Sequence, residues 1–288
     1  MRFQIPSALT WLQKDEHGRE WLRELPSRVA RCVEKWGLRL DPPYQQSFVS
    51  IVFPAMLRDA SPAVLKIQWP HLESEHEEEA LRLWNGNGAI HLFGFDPQEH
   101  ALLLERCEPG NHLSTVHAKQ ALEVFIDLLP RLWVPAAAPF RTLAEECAQW
   151  RERLPLCWEL ARRPFEIALL DAALEAMNLS GEHGAQVLLH QDLHGDNVLG
   201  ATREPWLAID PKPLVGEREL SLAPIIRGYE FGHSRTDVVY RLDRLTTALR
   251  LDRERCRLWA LAQTLAWGFE GEMVYDKHVE TARWLWQA

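Results

Sequence analysis

The chain has 288 residues, 47% of them hydrophobic, enough for one large domain or two lobes with cores of their own. Its 41 acidic residues outnumber 32 basic ones, giving a formal charge of −9, which argues against a nucleic-acid partner and favours cationic small molecules. Five scattered cysteines without a C-x-x-C pair argue against a disulfide framework or a structural zinc site, and no stretch reads as a signal peptide or membrane span, so a soluble cytoplasmic protein is expected.

Near the N-terminus, Trp21, Leu22, Leu25, Val29, Cys32, Val33 and Trp36 recur at helical spacing, with Gly37 as terminator and Pro26 expected to break or restart the helix. D-P-P at 41–43 punctuates the chain, and the apolar runs 47–53 and 63–69 read as strands. The turn formers in M-L-R-D-A-S-P between them predict a hairpin. Lys66 lies inside the second run, in A-V-L-K-I. A lysine buried alone in a strand is costly, so it calls for an anionic partner or a phosphate; otherwise it faces outward on an edge strand.

Residues 73–84 follow as a charged amphipathic helix stopped by N-G-N-G. Glu77 precedes Ala80, Leu81 and Trp84 by three, four and seven positions and shares their inward face, which makes it the expected partner of Lys66, with Glu75 and Glu78 as alternatives. Two further strands are predicted at 89–95 and 101–107, and the second runs into E-P-G, where the chain divides into lobes 1–107 and 108–288. Helical periodicity fills most of 113–178, with breaks expected at Pro130, Pro155 and Pro164. Further helices are predicted over 216–228, 236–249, 252–269 and 275–286, the third capped by Asp252.

The stretch 187–213 carries the chemistry. Two short apolar runs, 187–189 and 206–209, are each followed by polar residues that include carboxylates, the pattern of buried strands ending in active loops. His190, Asp192 and Asn197 have the H-x-D-x-x-x-x-N spacing of a kinase catalytic loop, and Asp210 ends the next run. In phosphoryl transfer the first Asp orients a substrate hydroxyl and takes its proton, while Asn and the second Asp hold magnesium. Magnesium needs only a few hard oxygen ligands from protein, which Asn197 and Asp210 supply. Two other readings compete: His190, Asp192, His194 and Asp196 alternate and would present zinc ligands along an extended chain, or these residues merely cap a solvated turn.

Taken together, the strand with Lys66, the helix with Glu77, A-L-L-L-E-R, H-Q-D-L-H-G-D-N-V-L, A-I-D-P-K-P-L-V-G-E and the late R-L-D-R-L-T-T-A-L-R-L-D-R-E-R-C-R-L-W-A-L-A-Q resemble the aminoglycoside phosphotransferases. Within them the chain is most similar to the streptomycin 6-phosphotransferase branch, the aminoglycoside/hydroxyurea antibiotic resistance kinases. The resemblance implies an α+β, bilobal protein-kinase-like fold with a small N-terminal lobe built on an antiparallel sheet and a mostly helical C-terminal lobe. It also implies ATP or GTP as donor, Mg2+, and transfer of the γ-phosphate to a hydroxyl of a small cationic acceptor of the streptomycin type.

By the same resemblance Asp192 is the catalytic base, Asn197 and Asp210 are the metal ligands, Lys66 binds phosphate with Glu77 as its partner, and Glu105 with Cys107 forms the adenine hinge. Gln191 and Pro213 stand where relatives commonly carry glycine, Ser221 where some place an acidic residue, and the first hairpin has no glycine to cradle phosphates. Glu230, Asp237, Glu270 and Glu272 are candidate carboxylates for a cationic acceptor. A kinase for choline, homoserine or a sugar, and a nucleotide-binding scaffold without transferase activity, are the alternatives.

Overall fold

The computed structural model describes residues 3–178 and 186–288. Internal contacts divide the chain into two compact units, Met1–Gly110 and Asn111–Ala288.

The first unit starts with a 3-10 segment, Ser7–Lys14, and helix α1, Glu16–Trp36. Asp15 caps α1 by accepting from the Gly18 amide at 2.9 Å, and Gly37 closes it in the left-handed region at φ 65°, a conformation glycine adopts without a Cβ penalty. Pro26 does not break this helix, contrary to the sequence expectation. An interior proline costs about 3 kcal/mol, whereas each fully buried Leu or Val side chain returns roughly 1.5–3 kcal/mol. Trp21, Leu22, Leu25, Val29 and Cys32 are buried on both sides of it, so packing wins.

Five strands follow: β1 (Arg39–Leu40), β2 (Ser50–Met56), β3 (Pro62–Gln68), β4 (Leu92–Asp96) and β5 (Ala101–Glu105). They form one antiparallel sheet in the order β1-β2-β3-β5-β4, with β2 and β3 as the expected hairpin. Ile51, Phe53, Leu65 and Ile67 turn one face of it onto α1 residues in a shared core. Lys66 is therefore on the central strand, opposite Val52 and Leu102, and the edge-strand alternative is overturned. Helix α2 covers only Glu77–Trp84; residues 72–74 form a separate 3-10 turn.

The second unit is mostly helical, with α3 (Ala118–Leu132), α4 (Leu143–Leu160) and α5 (Ile167–Met177) before the motif stretch. Pro130 and Pro155 lie inside α3 and α4 rather than ending them; Pro130 is exposed and Pro155 half-buried, while Phe125, Leu128, Leu129, Trp150 and Leu154 on the same helices are buried. Four three-residue strands, β6 (Val187–Leu189), β7 (Val198–Gly200), β8 (Trp206–Ala208) and β9 (Leu214–Gly216), pair as β6–β9 and β7–β8. These two ribbons clamp the motif loops from either end.

The helix expected over 216–228 is instead a 3-10 turn, Arg218–Leu222, leading into a short α6, Ala223–Arg227, because β9 takes Gly216 and Gly228 stops the helix. The remaining elements are α7 (Arg235–Leu249), α8 (Arg253–Ala266), a small ribbon of β10 (Phe269–Glu270) and β11 (Met273–Val274), and α9 (Asp276–Trp286). Asp252 caps α8, accepting from the Arg255 amide at 2.9 Å. From Trp259 to Leu265 every α8 side chain is buried, so this helix is the centre of the unit, packed by α5, α6, α7 and α9. Among the described residues no helix is long and apolar enough to cross a membrane.

Candidate active site

In the first unit, strand alternation points Lys66 and Gln68 to one face of β3. Lys66 Nζ lies 2.6 and 2.9 Å from the two carboxylate oxygens of Glu77, and Gln68 Nε2 donates to the same carboxylate at 2.5 Å. Lys66 is 6% exposed and Glu77 2%, so the attraction is offset by taking both charges from water, and the pair positions more than it stabilises. Glu77 rather than Glu78 holds the lysine; Glu78 pairs with Arg82 at the surface. At the end of β5, the Glu105 amide donates to the His91 carbonyl at 2.9 Å and its carboxylate accepts from the His91 amide at 2.8 Å, tying the strand to the preceding turn. Cys107 follows just beyond the strand, half-buried.

In the second unit the loop after β6 is pinned to the loop after β8. His190 is 3% exposed and its Nε2 donates to the Ile209 carbonyl at 2.8 Å. Burial pushes its pKa down to about 4, so it is neutral at physiological pH. The His190 carbonyl accepts from both the Asp192 amide at 2.8 Å and the Lys212 amide at 3.0 Å. Gln191 sits between them at φ 62°, the left-handed region that favours glycine. It is held there by its side chain donating to Glu146 at 3.1 Å and its carbonyl accepting from Gln263 at 3.2 Å.

Asp192 is half-buried, with Lys212 Nζ 3.3 Å from one carboxylate oxygen and His194 Nε2 3.9 Å from the other. Asn197 donates its side-chain amide to the Asp192 carbonyl at 2.9 Å, and its own carbonyl accepts from the Ile209 amide at 2.9 Å. Asp210, next to Ile209, is exposed at φ 56°. Two hard oxygen donors on hydrogen-bonded loops suit magnesium.

The zinc alternative does not survive. The His190 ring turns inward to Ile209, while His194 accepts from the Asp196 amide, so the four side chains do not converge. Among the described residues no three His, Cys, Asp or Glu side chains are grouped to hold a metal ion.

Of the four candidate acceptor carboxylates, Glu230 reaches the loop that carries Asp192 and Asn197, accepting from the Gly195 amide at 2.9 Å. Asp237 is engaged with Ser234 at the start of α7, Glu270 accepts from Tyr275 at 2.6 Å, and Glu272 is exposed. Gly195 is needed for this approach, since a Cβ there would lie 2.7 Å from the Phe231 ring and 2.8 Å from the Ser114 backbone. The segment bearing Glu230 is fixed by buried Arg241, which donates to the carbonyls of Ile226 (3.0 and 2.9 Å), Phe231 (3.1 Å) and Gly232 (2.9 Å). Arg241→Leu strands three carbonyls and should cost roughly 3 kcal/mol or more of unfolding free energy in urea titrations.

The histidines set a pH dependence. Burial depresses His190 to about 4 and His278 to about 3, below the ordinary 6.5, so as pH falls the unfolded chain takes up these protons first. Stability should be flat above about pH 6.5 and fall from there toward pH 4, with His190 alone accounting for about 2 kcal/mol at pH 5. Urea unfolding at pH 7.5 and pH 5 measures it, and His278→Phe should flatten the slope.

An antiparallel sheet with a buried lysine–glutamate pair, joined in sequence to a helical unit with an H-x-D…N loop and a following Asp, defines a protein-kinase-like small-molecule kinase. The chain belongs to the aminoglycoside/hydroxyurea antibiotic resistance kinase family, whose model matches residues 35–270. It is 40% identical over 271 residues to a hydroxyurea phosphotransferase of Kitasatospora aureofaciens, covering 91% of this chain and 78% of that one. To a streptomycin 6-kinase of Streptomyces griseus it is 39% identical over 258 residues, 87% of this chain and 84% of that one. The choline kinase of Streptococcus pneumoniae shares the fold, with a TM-score of 0.62 at 11% identity over 92% of this chain and 100% of that one. The chain is thus an enzyme, a phosphotransferase that uses a nucleotide.

Gln68, Glu146, Gln263 and Lys212 lie at or beside the candidate site and are passed over by sequence reasoning. Period-two alternation from Lys66 would have found Gln68, and Lys212 stands inside the I-D-P-K phrase itself. Glu146 and Gln263 carry no local signal.

Proposed function

We propose that the protein transfers the γ-phosphate of ATP, or of GTP, to a hydroxyl of a small cationic acceptor, an aminoglycoside of the streptomycin type. The observation that carries this reading is the Asp192 carboxylate, half-buried on a turn whose backbone is tied to Asn197 and to the strand end preceding Asp210. Similarity at 39% identity to a streptomycin 6-kinase supports the acceptor class.

Residues 1–107 are the nucleotide lobe in this reading. Lys66, aimed by Glu77, neutralises the α- and β-phosphates, and the backbone at Glu105 and Cys107 reads adenine. Residues 108–288 hold the chemistry. Asn197 and Asp210 would hold Mg2+, which supplies charge neutralisation on the phosphate oxygens when bound. Asp192 accepts a hydrogen bond from the acceptor hydroxyl, aligns it for in-line attack and takes its proton.

Glu230 is the carboxylate best situated to meet an acceptor cation: at about 4 Å and an effective dielectric near 20, such a contact gains roughly 4 kcal/mol before desolvation. ATP as donor fits a cytoplasmic location. Hydroxyurea is a second acceptor reading, favoured by 40% identity to a hydroxyurea phosphotransferase.

A coupled ADP-release assay over aminoglycosides, hydroxyurea, amino alcohols such as choline and homoserine, and sugars tests the proposal, with the Asp192→Ala protein as blank. Turnover is expected to be greatest with streptomycin, with KM rising as salt is added. Turnover confined to hydroxyurea and indifferent to ionic strength selects the second reading. Turnover confined to choline, homoserine or sugars overturns both.

A further inference from the structure

Lys212 has a place in this site that no residue pattern assigned. It lies between Pro211 and Pro213, so the chain is stiff on both sides, and its amide is fixed to the His190 carbonyl at 3.0 Å. Its ammonium lies 3.3 Å from Asp192 and 4.8 Å over the ring of Trp267. A second cation, Arg227, stacks on the same indole at 5.2 Å and donates to Gln263 at 3.2 Å, the residue that also holds the Gln191 carbonyl.

Two cations gathered on one indole repel each other, and a partly exposed ion pair to Asp192 offsets little of that. An anion arriving beside Asp192 would be attracted by both. A hydroxyl hydrogen-bonded to Asp192 sits about 2.6–3.2 Å from its carboxylate, and a phosphorus poised for attack lies about 3–3.5 Å further on. Rotation of the outer torsions of Lys212 spans that distance.

We propose that Lys212 is a catalytic residue that binds the transferring phosphoryl group: it rests on Asp192 and Trp267 until substrate arrives and then stabilises the negative charge on the phosphoryl oxygens. The bond to the acceptor oxygen forms, the bond to the leaving nucleoside diphosphate breaks, the acceptor's hydroxyl proton passes to Asp192, and Lys212 keeps its own proton throughout. This rests on the reading of Asp192 as the residue that aligns the acceptor.

The test is a double-mutant cycle of Lys212→Met and Asp192→Asn, with Lys212→Arg as the conservative control, measuring kcat, both KM values and the acceptor-independent hydrolysis of ATP. Lys212→Met should lower kcat by about 10²-fold or more, the scale of losing one preorganised donor to a transition state, with both KM values little changed. Lys212→Arg should restore much of that loss. In the Asp192→Asn background Lys212→Met should reduce residual transfer and ATP hydrolysis by a similar factor.

If Lys212→Met has no effect once Asp192 is replaced, Lys212 acts only through Asp192 and the proposal is overturned. Unchanged kcat in the single variant overturns it too. Should Lys212→Met misfold, Lys212→Arg carries the test: hydrolysis that follows the arginine variant's transfer rate supports it, and hydrolysis at the parent rate with transfer lost contradicts it. Failure of the Asp192 reading is seen separately, as parent turnover in Asp192→Asn alone.

Discussion

Asp192→Ala should lower kcat by about 10²–10⁴-fold, the range for losing a general base, while leaving nucleotide affinity and stability nearly unchanged. The separation follows from where the side chain is used. The turn around it is held by backbone atoms, by His190 on Ile209, Gln191 on Glu146, and Asn197 on the Asp192 carbonyl, none of which needs the Asp192 carboxylate. Its contacts to Lys212 and His194 are partly exposed, worth no more than about 1 kcal/mol. Steady-state rates with saturating acceptor, paired with calorimetric titration of a non-hydrolysable ATP analogue, measure the two halves. A parallel loss of nucleotide binding would show that the residue holds the fold instead.

Glu77→Ala should damage both folding and nucleotide use. It removes the carboxylate shared by the Lys66 ammonium and the Gln68 amide, all three groups being buried, and leaves a cation in the sheet without its counter-charge. Breaking a buried pair from one side costs about 3–5 kcal/mol. Glu77→Gln keeps the shape and an oxygen acceptor, so it should fold better while raising the KM for ATP, because the lysine is no longer aimed by a charge. Glu78→Ala is the control on the same helix turn. Its pairing with Arg82 is at the surface, and its loss should change stability by no more than about 0.5 kcal/mol. Urea unfolding and KM for ATP across the three variants check the order.

What could be read from the sequence was whatever local rules decide. Gly37, the Asp252 cap and the hairpin from β2 to β3 each depend on a few neighbouring residues. The prolines mislead for the opposite reason: at Pro26, Pro130 and Pro155 the local penalty is outweighed by burial of their neighbours, which no window of sequence displays. Gln191 was legible as a departure from glycine, but its compensation comes from Glu146 and Gln263, 45 and 72 positions away. Lys212 stands in its motif with no local sign of a role, because its nearness to Asp192 arises only when the loops after β6 and β8 are tied together through His190. The 3-10 turn of residues 218–222, with Ser221 buried and hydrogen-bonded to Trp133 at 3.2 Å, likewise reads as helix until β9 is seen to claim Gly216.

The most direct measurement follows labelled phosphate from the γ-position of ATP in the presence of streptomycin, using the parent chain and Asp192→Ala side by side. The parent should deliver the label to a hydroxyl of the acceptor, seen as one added phosphoryl group in its mass spectrum, and the variant should deliver almost none. Label transferred equally by both proteins, or released by the parent only as inorganic phosphate, would contradict the placing of phosphotransfer chemistry at Asp192.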